Sequence, residues 1–424
     1  MATNYDMLVI GGGTIGLSAA YYAASEGYTT ALFEQSTIHN NTGSSKGLER
    51  FFRILYSTQA RVRLVESSYA MWHEIQNYVG YQLLDPSPLL FFGDPDKQTV
   101  EGSIQEIEAS MKAMGIPYSY LSSPSAIQAD FPAFNANGMP SNYVGLVQES
   151  ATINVGNSFR AFQQMAAEDD KYVPVDIKTG PQAGQVSQIN ALTYGANGYY
   201  LRTADGSEYT SKYIIMAPGI WLDNVLKFFN LQANAQGSSI WEIWKCTLAF
   251  YEKLTTESIP LWYEFASSDD ALYYGFPDVG FTSETEGKCK IAADFTYDKY
   301  TNVNQINTYP DPKIITDIST RLSTLFQPNT FNIANPTMEE ACFYSMAPDY
   351  DMVIGQIPRA PSSTQYYSNA SMFVMASGRG FKFTPIFGRI LVDLATKNGV
   401  TPYAGDLTAF SPSRPGLFQT NTDE

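Results

Sequence analysis

The sequence predicts an α/β protein of two domains, one wound around a parallel sheet and assembled from separated segments, the other built on an antiparallel sheet. Three observations carry this. The chain opens with a strand, a glycine turn, a helix and a second strand; a strand and small-residue turn of the same kind returns about 200 residues later; and a block of alternating strands rich in tryptophan and tyrosine follows.

In "MLVIGGGTIGLSAAYYAASEGYTTALFE", Met7 to Ile10 is a continuous apolar run and the glycines after it make a tight turn. A helical stretch follows, Gly27 stops it, and a second apolar run ends at Glu34. The polar, glycine-rich "NNTGSSKGLERFFRILYSTQ" then feeds a long helix whose apolar positions include Val62, Leu64, Val65, Tyr69, Met71 and Trp72. In "DPSPLLFFGDPDK" prolines and glycine bracket a short apolar strand, and a domain crossing is expected there. "SKYIIMAPGIWLDNVL" reads as strand, turn and helix. The aromatic block, "SIWEIWKCTLAFYEK", "PLWYEF" and "ALYYGFPD", has strand spacing, and its rings suit core packing as well as a ligand-facing wall. The expected division gives residues 1–88, 148–222 and 338–424 to the first domain and 89–147 and 223–337 to the second.

A chain of 424 residues can bury two cores. Its 42 acidic and 26 basic residues give a net charge of -16, which repels phosphate backbones and anionic lipid, so neither nucleic acid nor membrane is an expected partner. Three scattered cysteines, Cys246, Cys289 and Cys342, and two histidines, His39 and His73, supply neither a disulfide framework nor a metal site. The N-terminus enters its strand without a basic leader, and no apolar run reaches the roughly 18 residues that cross a bilayer, so a cytoplasmic protein is expected.

The first turn carries a nucleotide signature. Gly11 allows the turn, Gly13 lets the backbone approach a pyrophosphate at the helix N-terminus, and Gly16 lets helix and strand pack. Glu34 follows Gly16 by 18 residues, the position from which an acid accepts ribose hydroxyls. This is a Rossmann unit for FAD or NAD, and the motif by itself leaves both open.

The order of "GGGTIG", "GSSKGLERFFRILY", "ACFYSMAPDYDMVIG" and "SGRGFKFTPIFGRI" along the chain resembles the monomeric sarcosine oxidase family of FAD-dependent amine oxidoreductases, in the DAO superfamily, with a particular likeness to the NikD-type imino acid oxidases. The resemblance implies a glutathione-reductase-type FAD-binding Rossmann domain plus an antiparallel-sheet substrate domain that roofs the pocket. It implies FAD contacts from Gly11, Gly13, Ile15, Gly16, Glu34, Gln35, Ser45, Lys46, Arg50, Val186, Gly378 and Gly380, and a covalent link from the flavin to Cys342 in "CFYSMAPD"; a buried, unmodified cysteine is the alternative. Arg53 and Lys382 match the residues that hold the substrate carboxylate. A buried lysine in the apolar, glycine-rich "GFKF" needs an anionic partner, which is a ligand carboxylate, the flavin or an acidic side chain. Lys290 matches the lysine that activates oxygen, where a fixed positive charge stabilises developing negative charge, with Lys288 as rival.

The chain departs from the pattern at Ser45 and Lys46 and again at Arg379. Ser45 and Lys46 replace a histidine pair, although Arg50 is kept. Arg379 replaces a tryptophan beside the flavin, turning a stacking surface into a cation and implying a different substrate. Glu101 and Asp294 match the acidic pair of the NikD-type pocket. The expected function is an FAD-dependent oxidase of a C–N bond in a small amino or imino acid, with hydride passing to flavin N5 and O2 reduced to hydrogen peroxide. A flavoprotein that matures a residue or tethered intermediate on a partner protein is the second reading, leaning on Arg379. An NAD dehydrogenase is the third, weakened by the C-terminal motif.

Overall fold

The computed structural model describes residues 1–191, 198–229, 241–266, 272–357, 371–375, 378–415 and 417. Within these, two sheets organise the chain. The first has eight strands. Its centre is the fully buried run Met7 to Val9 of the strand Thr3–Ile10, flanked in parallel by Glu208–Met216 on one side and Thr30–Glu34 on the other. Ser371–Met375 extends one edge in parallel and Val353–Gln356 closes it antiparallel; Asp176–Thr179 extends the other. The hairpin Val186–Ala191 and Tyr199–Thr203 joins through Glu208–Met216. The strand–turn–helix read at "SKYIIMAPGIWLDNVL" is therefore the neighbour of the first strand, in the same sheet.

The helix Thr14–Ser25 crosses this sheet with its small residues, Ala19, Ala20, Ala23 and Ala24, buried. Small side chains let a second helix, Thr384–Thr396, come very close: a Cβ added to Gly388 would lie 2.2 Å from Ser18 Oγ and 2.7 Å from the Ala19 nitrogen. This packing ties the last turn of the fold to the first, and Thr384 Oγ1 donates to Thr14 Oγ1 at 3.0 Å.

The second sheet has ten strands among the described residues. It contains the aromatic block as Glu242–Glu252, Leu261–Phe265 and Leu272–Gly275, with Lys288–Ala293 between the first and third and Met338–Met346 on the outer side of Glu242–Glu252. Its pairings are antiparallel as expected, with one exception: Leu261–Phe265 runs parallel to Leu84–Gly93. The expected boundaries at 88/89 and 147/148 fall inside Leu84–Gly93 and Val144–Asn154, two paired strands of this sheet. Glu49–Phe52 pairs with Val144–Asn154 and brings the "ERFFR" segment to the junction of the two sheets. The long helix is present as Gln59–Val79. No helix among the described residues is long and apolar enough to cross a membrane.

Candidate active site

The glycine turn is built from backbone contacts. Gly11 has φ of 101° and donates to the Phe33 carbonyl at 2.8 Å, while Ala217 donates to the Ile10 carbonyl at 2.8 Å. A Cβ on Gly11 would lie 2.3 Å from the Ala217 oxygen, and one on Gly16 would lie 1.9 Å from the Gly11 oxygen, so both positions exclude a side chain for packing reasons. Gly13 differs. It caps the helix N-terminus, and a Cβ there would meet only Ser45 Oγ, at 3.3 Å. The space in front of Gly13 belongs to a cleft.

That cleft holds about 1030 Å³ of empty space and is lined by Gly11, Gly13, Glu34, Gln35, Ser45, Lys46 and Val186 among others. Glu34 accepts from the Gly12 and Ser36 nitrogens, each at 2.8 Å, which fixes its carboxylate at the cleft wall. Burial raises its pKa. A second cavity of about 680 Å³ shares Gly13 and Ser45 with the first and continues along Ile15, Gly16, Arg50, Gly378 and Gly380. A third, of about 860 Å³, shares Arg50, Gly378 and Phe381 with the second and is lined by Arg53, Glu101, Lys290, Asp294, Cys342, Arg379 and Lys382. Three cavities in sequence thus form one trench from the first strand's turn to the second sheet. Its shape fits an extended dinucleotide: glycine backbone and a helix N-terminus stand at the middle, an acid at the first end, and a mixed charged and aromatic chamber at the other.

Arg50 is a main tether of the loop between the two ends. Arg50 Nη2 donates to the Ser44 carbonyl at 2.9 Å and to the Lys46 carbonyl, and Nη1 donates to the Glu49 carbonyl at 2.8 Å. Arg50 therefore shapes the Ser44–Lys46 loop, and its guanidinium lies 5.5 Å from the Phe381 ring centroid.

In the third cavity the expected residues come together, with partners the sequence did not announce. Arg53 is ion-paired with Glu101, donates to the Leu55 carbonyl at 3.1 Å, and lies 4.3 Å from the Tyr56 ring centroid. Arg379 Nε meets the other Glu101 oxygen at 2.8 Å, and Nη1 donates to the Tyr350 carbonyl at 2.5 Å. Burial alone would push the Glu101 carboxyl up, but Arg379, Arg53 and Arg61 outweigh it and hold the carboxyl well below the usual range. Arg379 thus stands in the chamber lining as a cation whose guanidinium is engaged by Glu101 and a carbonyl.

Lys382 sits in the short 3-10 turn Gly380–Phe383 that leads into the helix Thr384–Thr396. Ser68 Oγ and Trp72 Nε1 of the long helix both donate to its carbonyl, at 2.6 and 3.0 Å, and so fix its backbone. Its Nζ donates to the Arg379 carbonyl at 3.1 Å, and no ion pair with an acidic side chain is formed among the described residues. Burial lowers its pKa. Ala376 and Ser377 of the same motif lie outside the described residues.

Lys290 and Lys288 lie two residues apart on one strand and share its face, but they differ in burial. Lys288 donates to the exposed Glu284 carbonyl, whereas Lys290 is 3% exposed, donates to the Glu49 carbonyl at 2.7 Å and lies 3.8 Å from the Phe276 ring centroid. Burial draws its pKa down to about 8. Asp294 accepts from the Tyr263 hydroxyl at 2.6 Å, and burial together with Glu101 raises its pKa.

Cys342 lines the same chamber and stands directly across from Cys246 in the strand pair Met338–Met346 and Glu242–Glu252. The neighbouring Cys246 side chain and the charges of Arg50, Lys290 and Lys46 draw the Cys342 pKa down to about 7 against the opposing effect of burial. Cys246 is correspondingly pushed well above its ordinary value. Sequence reasoning missed Cys246, Glu49, Tyr56 and Tyr263. Glu49 and Tyr56 lie inside "GLERFFRILY" and Tyr263 inside the aromatic "PLWYEF", but only strand register and packing single these residues and Cys246 out as neighbours of the site.

The comparisons agree with this geometry. The family model for FAD dependent oxidoreductases, DAO, matches residues 6–394. A monomeric sarcosine oxidase from Streptomyces avermitilis is 26% identical over 424 residues, covering 98% of both chains. A probable sarcosine oxidase from Arabidopsis thaliana is 25% identical over 397 residues, covering 92% of this chain and 88% of its own. Among solved structures, the open form of NikD, described as an unusual amino acid oxidase essential for nikkomycin biosynthesis, superposes with a TM-score of 0.81 at 24% identity, covering 99% of this chain and 100% of that one. With the family model spanning the trench from the first glycine turn to the helix after Lys382, the chain belongs to the FAD dependent oxidoreductase family.

Proposed function

We propose that the protein oxidises the C–N bond of a small amino or imino acid, with O2 as electron acceptor. The observation that carries this is the third cavity, where Arg53, Lys382 and Lys290 meet around one chamber continuous with the dinucleotide trench. FAD, when bound, supplies a two-electron acceptor for the C–N bond and the reactivity that turns O2 into hydrogen peroxide. The chain's own residues orient the substrate and place charge. Lys382, with no acidic side chain taking up its ammonium among the described residues, is the first contact for a substrate carboxylate, and Arg53 adds a second donor beside its Glu101 pair. Lys290 supplies fixed positive charge where oxygen gains electrons. Tyr263, Asp294 and Glu101 form the polar wall against which the rest of the substrate is selected.

Cys342 is the residue we assign to covalent attachment, because a thiol drawn toward its thiolate form lines the chamber. The reading in which a partner protein is the substrate loses its argument, since Arg379 is spent on Glu101 and the Tyr350 carbonyl. The names of the relatives, sarcosine oxidases and an amino acid oxidase, likewise support a free small molecule. The test is a peroxide assay over N-methyl and cyclic amino acids, run beside anaerobic bleaching of the flavin. Bleaching and peroxide from at least one carboxylate-bearing amine are expected; inertness to the whole panel would overturn the reading.

A further inference from the structure

Glu49 is the one charged residue of "ERFFR" to which the site described so far gives no part, yet it is more deeply buried than either arginine of that segment. Its exposure is 0%, and neither carboxylate oxygen has a hydrogen-bond partner among the described residues. A carboxylate stripped of water and left without donors costs several kcal/mol, so its retention calls for a charge to answer it. The nearest is Lys290, whose Nζ lies 4.0 Å from Glu49 Oε2 while donating at 2.7 Å to the carbonyl of the same residue. Backbone and side chain of Glu49 thus do different things to one ammonium: the carbonyl holds its position and the carboxylate answers its charge.

We propose that Glu49 is a positioning residue for the oxygen half of the reaction, a buried carboxylate whose charge keeps Lys290 protonated in the chamber. This rests on the reading of Lys290 given above. The other groups that face the pair are Arg50 beside Glu49, Glu340 and Cys342 from the strand Met338–Met346, and Cys289, the chain neighbour of Lys290. Arg50 disfavours a charged lysine, Glu340 and Cys342 favour it, and Cys289 is held as a neutral thiol by burial. Glu49 is the largest favourable charge in that set. Burial lifts its own pKa to about 7, so Glu49 is ionised over the range in which Lys290, at about 8, gives up its proton.

Glu49→Gln removes the charge and keeps the backbone carbonyl, so it separates the two contributions. Full-length flavin-loaded protein is photoreduced without air and mixed rapidly with O2 from about pH 6 to about pH 10, and flavin absorbance gives the reoxidation rate. Wild type is expected to slow as pH rises through about 8. In Glu49→Gln that inflection moves down by about one pH unit, so the rate is about tenfold lower above both inflections and returns to the wild-type value on the acid side. Coincident profiles, or a loss that is the same at every pH, would overturn the proposal. Lys290→Met is the parallel arm. If it reoxidises like wild type, the role of Lys290 itself falls; if it is slow and Glu49→Gln matches wild type, only the inference about Glu49 falls. Infrared spectra of the wild-type protein give a readout without turnover: a carboxylic acid band, absent from Glu49→Gln, should appear only as pH falls through about 7, and such a band persisting through the range where Lys290 titrates contradicts the proposal.

Discussion

Arg379 Nε and Glu101 Oε1 lie 2.8 Å apart across 278 residues of chain, and the second oxygen of the same carboxylate is taken by Arg53. Removing the acid leaves two buried guanidiniums facing each other. Glu101→Gln should therefore lower stability at neutral pH by about 3 to 5 kcal/mol, the usual cost of breaking a buried pair from one side. The sign with pH follows from the depressed carboxyl. Its stabilising contribution is complete above the unfolded carboxylate pKa of about 4.3 and fades as pH falls toward the lower folded value. Denaturant titrations of wild type and variant should converge in acid; a difference that persists unchanged there would show that Glu101 acts by packing alone.

For the anion contacts, simple carboxylates that perturb flavin absorbance are the probe. Lys382→Met should weaken their binding by about 2 to 5 kcal/mol, because a desolvated cation with no acidic side chain on it among the described residues is lost. Arg53→Lys should lose less, since Glu101 already holds part of that guanidinium and the replacement keeps charge without the fork geometry. Equal affinity in Lys382→Met and wild type would make the lysine structural.

Flavin should remain with acid-precipitated wild-type protein and be released from Cys342→Ala. Cys246→Ala removes the thiol that stands opposite Cys342 and favours its thiolate, so the Cys342 pKa rises and less thiolate is present at neutral pH. Attachment in that variant is expected to be slow near neutrality and to recover as pH is raised, measured as acid-stable flavin against time. Unchanged attachment at all pH would remove Cys246 from the account.

The two glycines of the first turn should fail differently. Gly16→Ala places a Cβ 1.9 Å from the Gly11 oxygen and is expected to destabilise the fold, seen as a lower thermal midpoint. Gly13→Val leaves the helix and strand packed but fills the cleft, so a folded, colourless protein is expected. A Gly13→Val protein that purified fully yellow would show that the pyrophosphate does not pass there.

Some of this protein was settled by local sequence. The spacing of Gly11, Gly13, Gly16 and Glu34 determined the strand–turn–helix–strand opening, since each requirement there, a positive φ at Gly11, a close approach at Gly16 and an acid at the strand end, is met within one short segment. Periodicity likewise determined the helix Gln59–Val79 and the strand character of the aromatic block. Lys382 in "GFKF" was legible as a buried cation because its neighbours are apolar. What pairs with each charge was not legible. Glu101 with Arg379, Glu49 with Lys290 and Cys246 with Cys342 join residues from distant parts of the chain, and only sheet register and the junction of the two sheets bring them together. A charge in a low-dielectric chamber acts through whatever lies within a few ångströms, and that neighbourhood is a property of the tertiary structure.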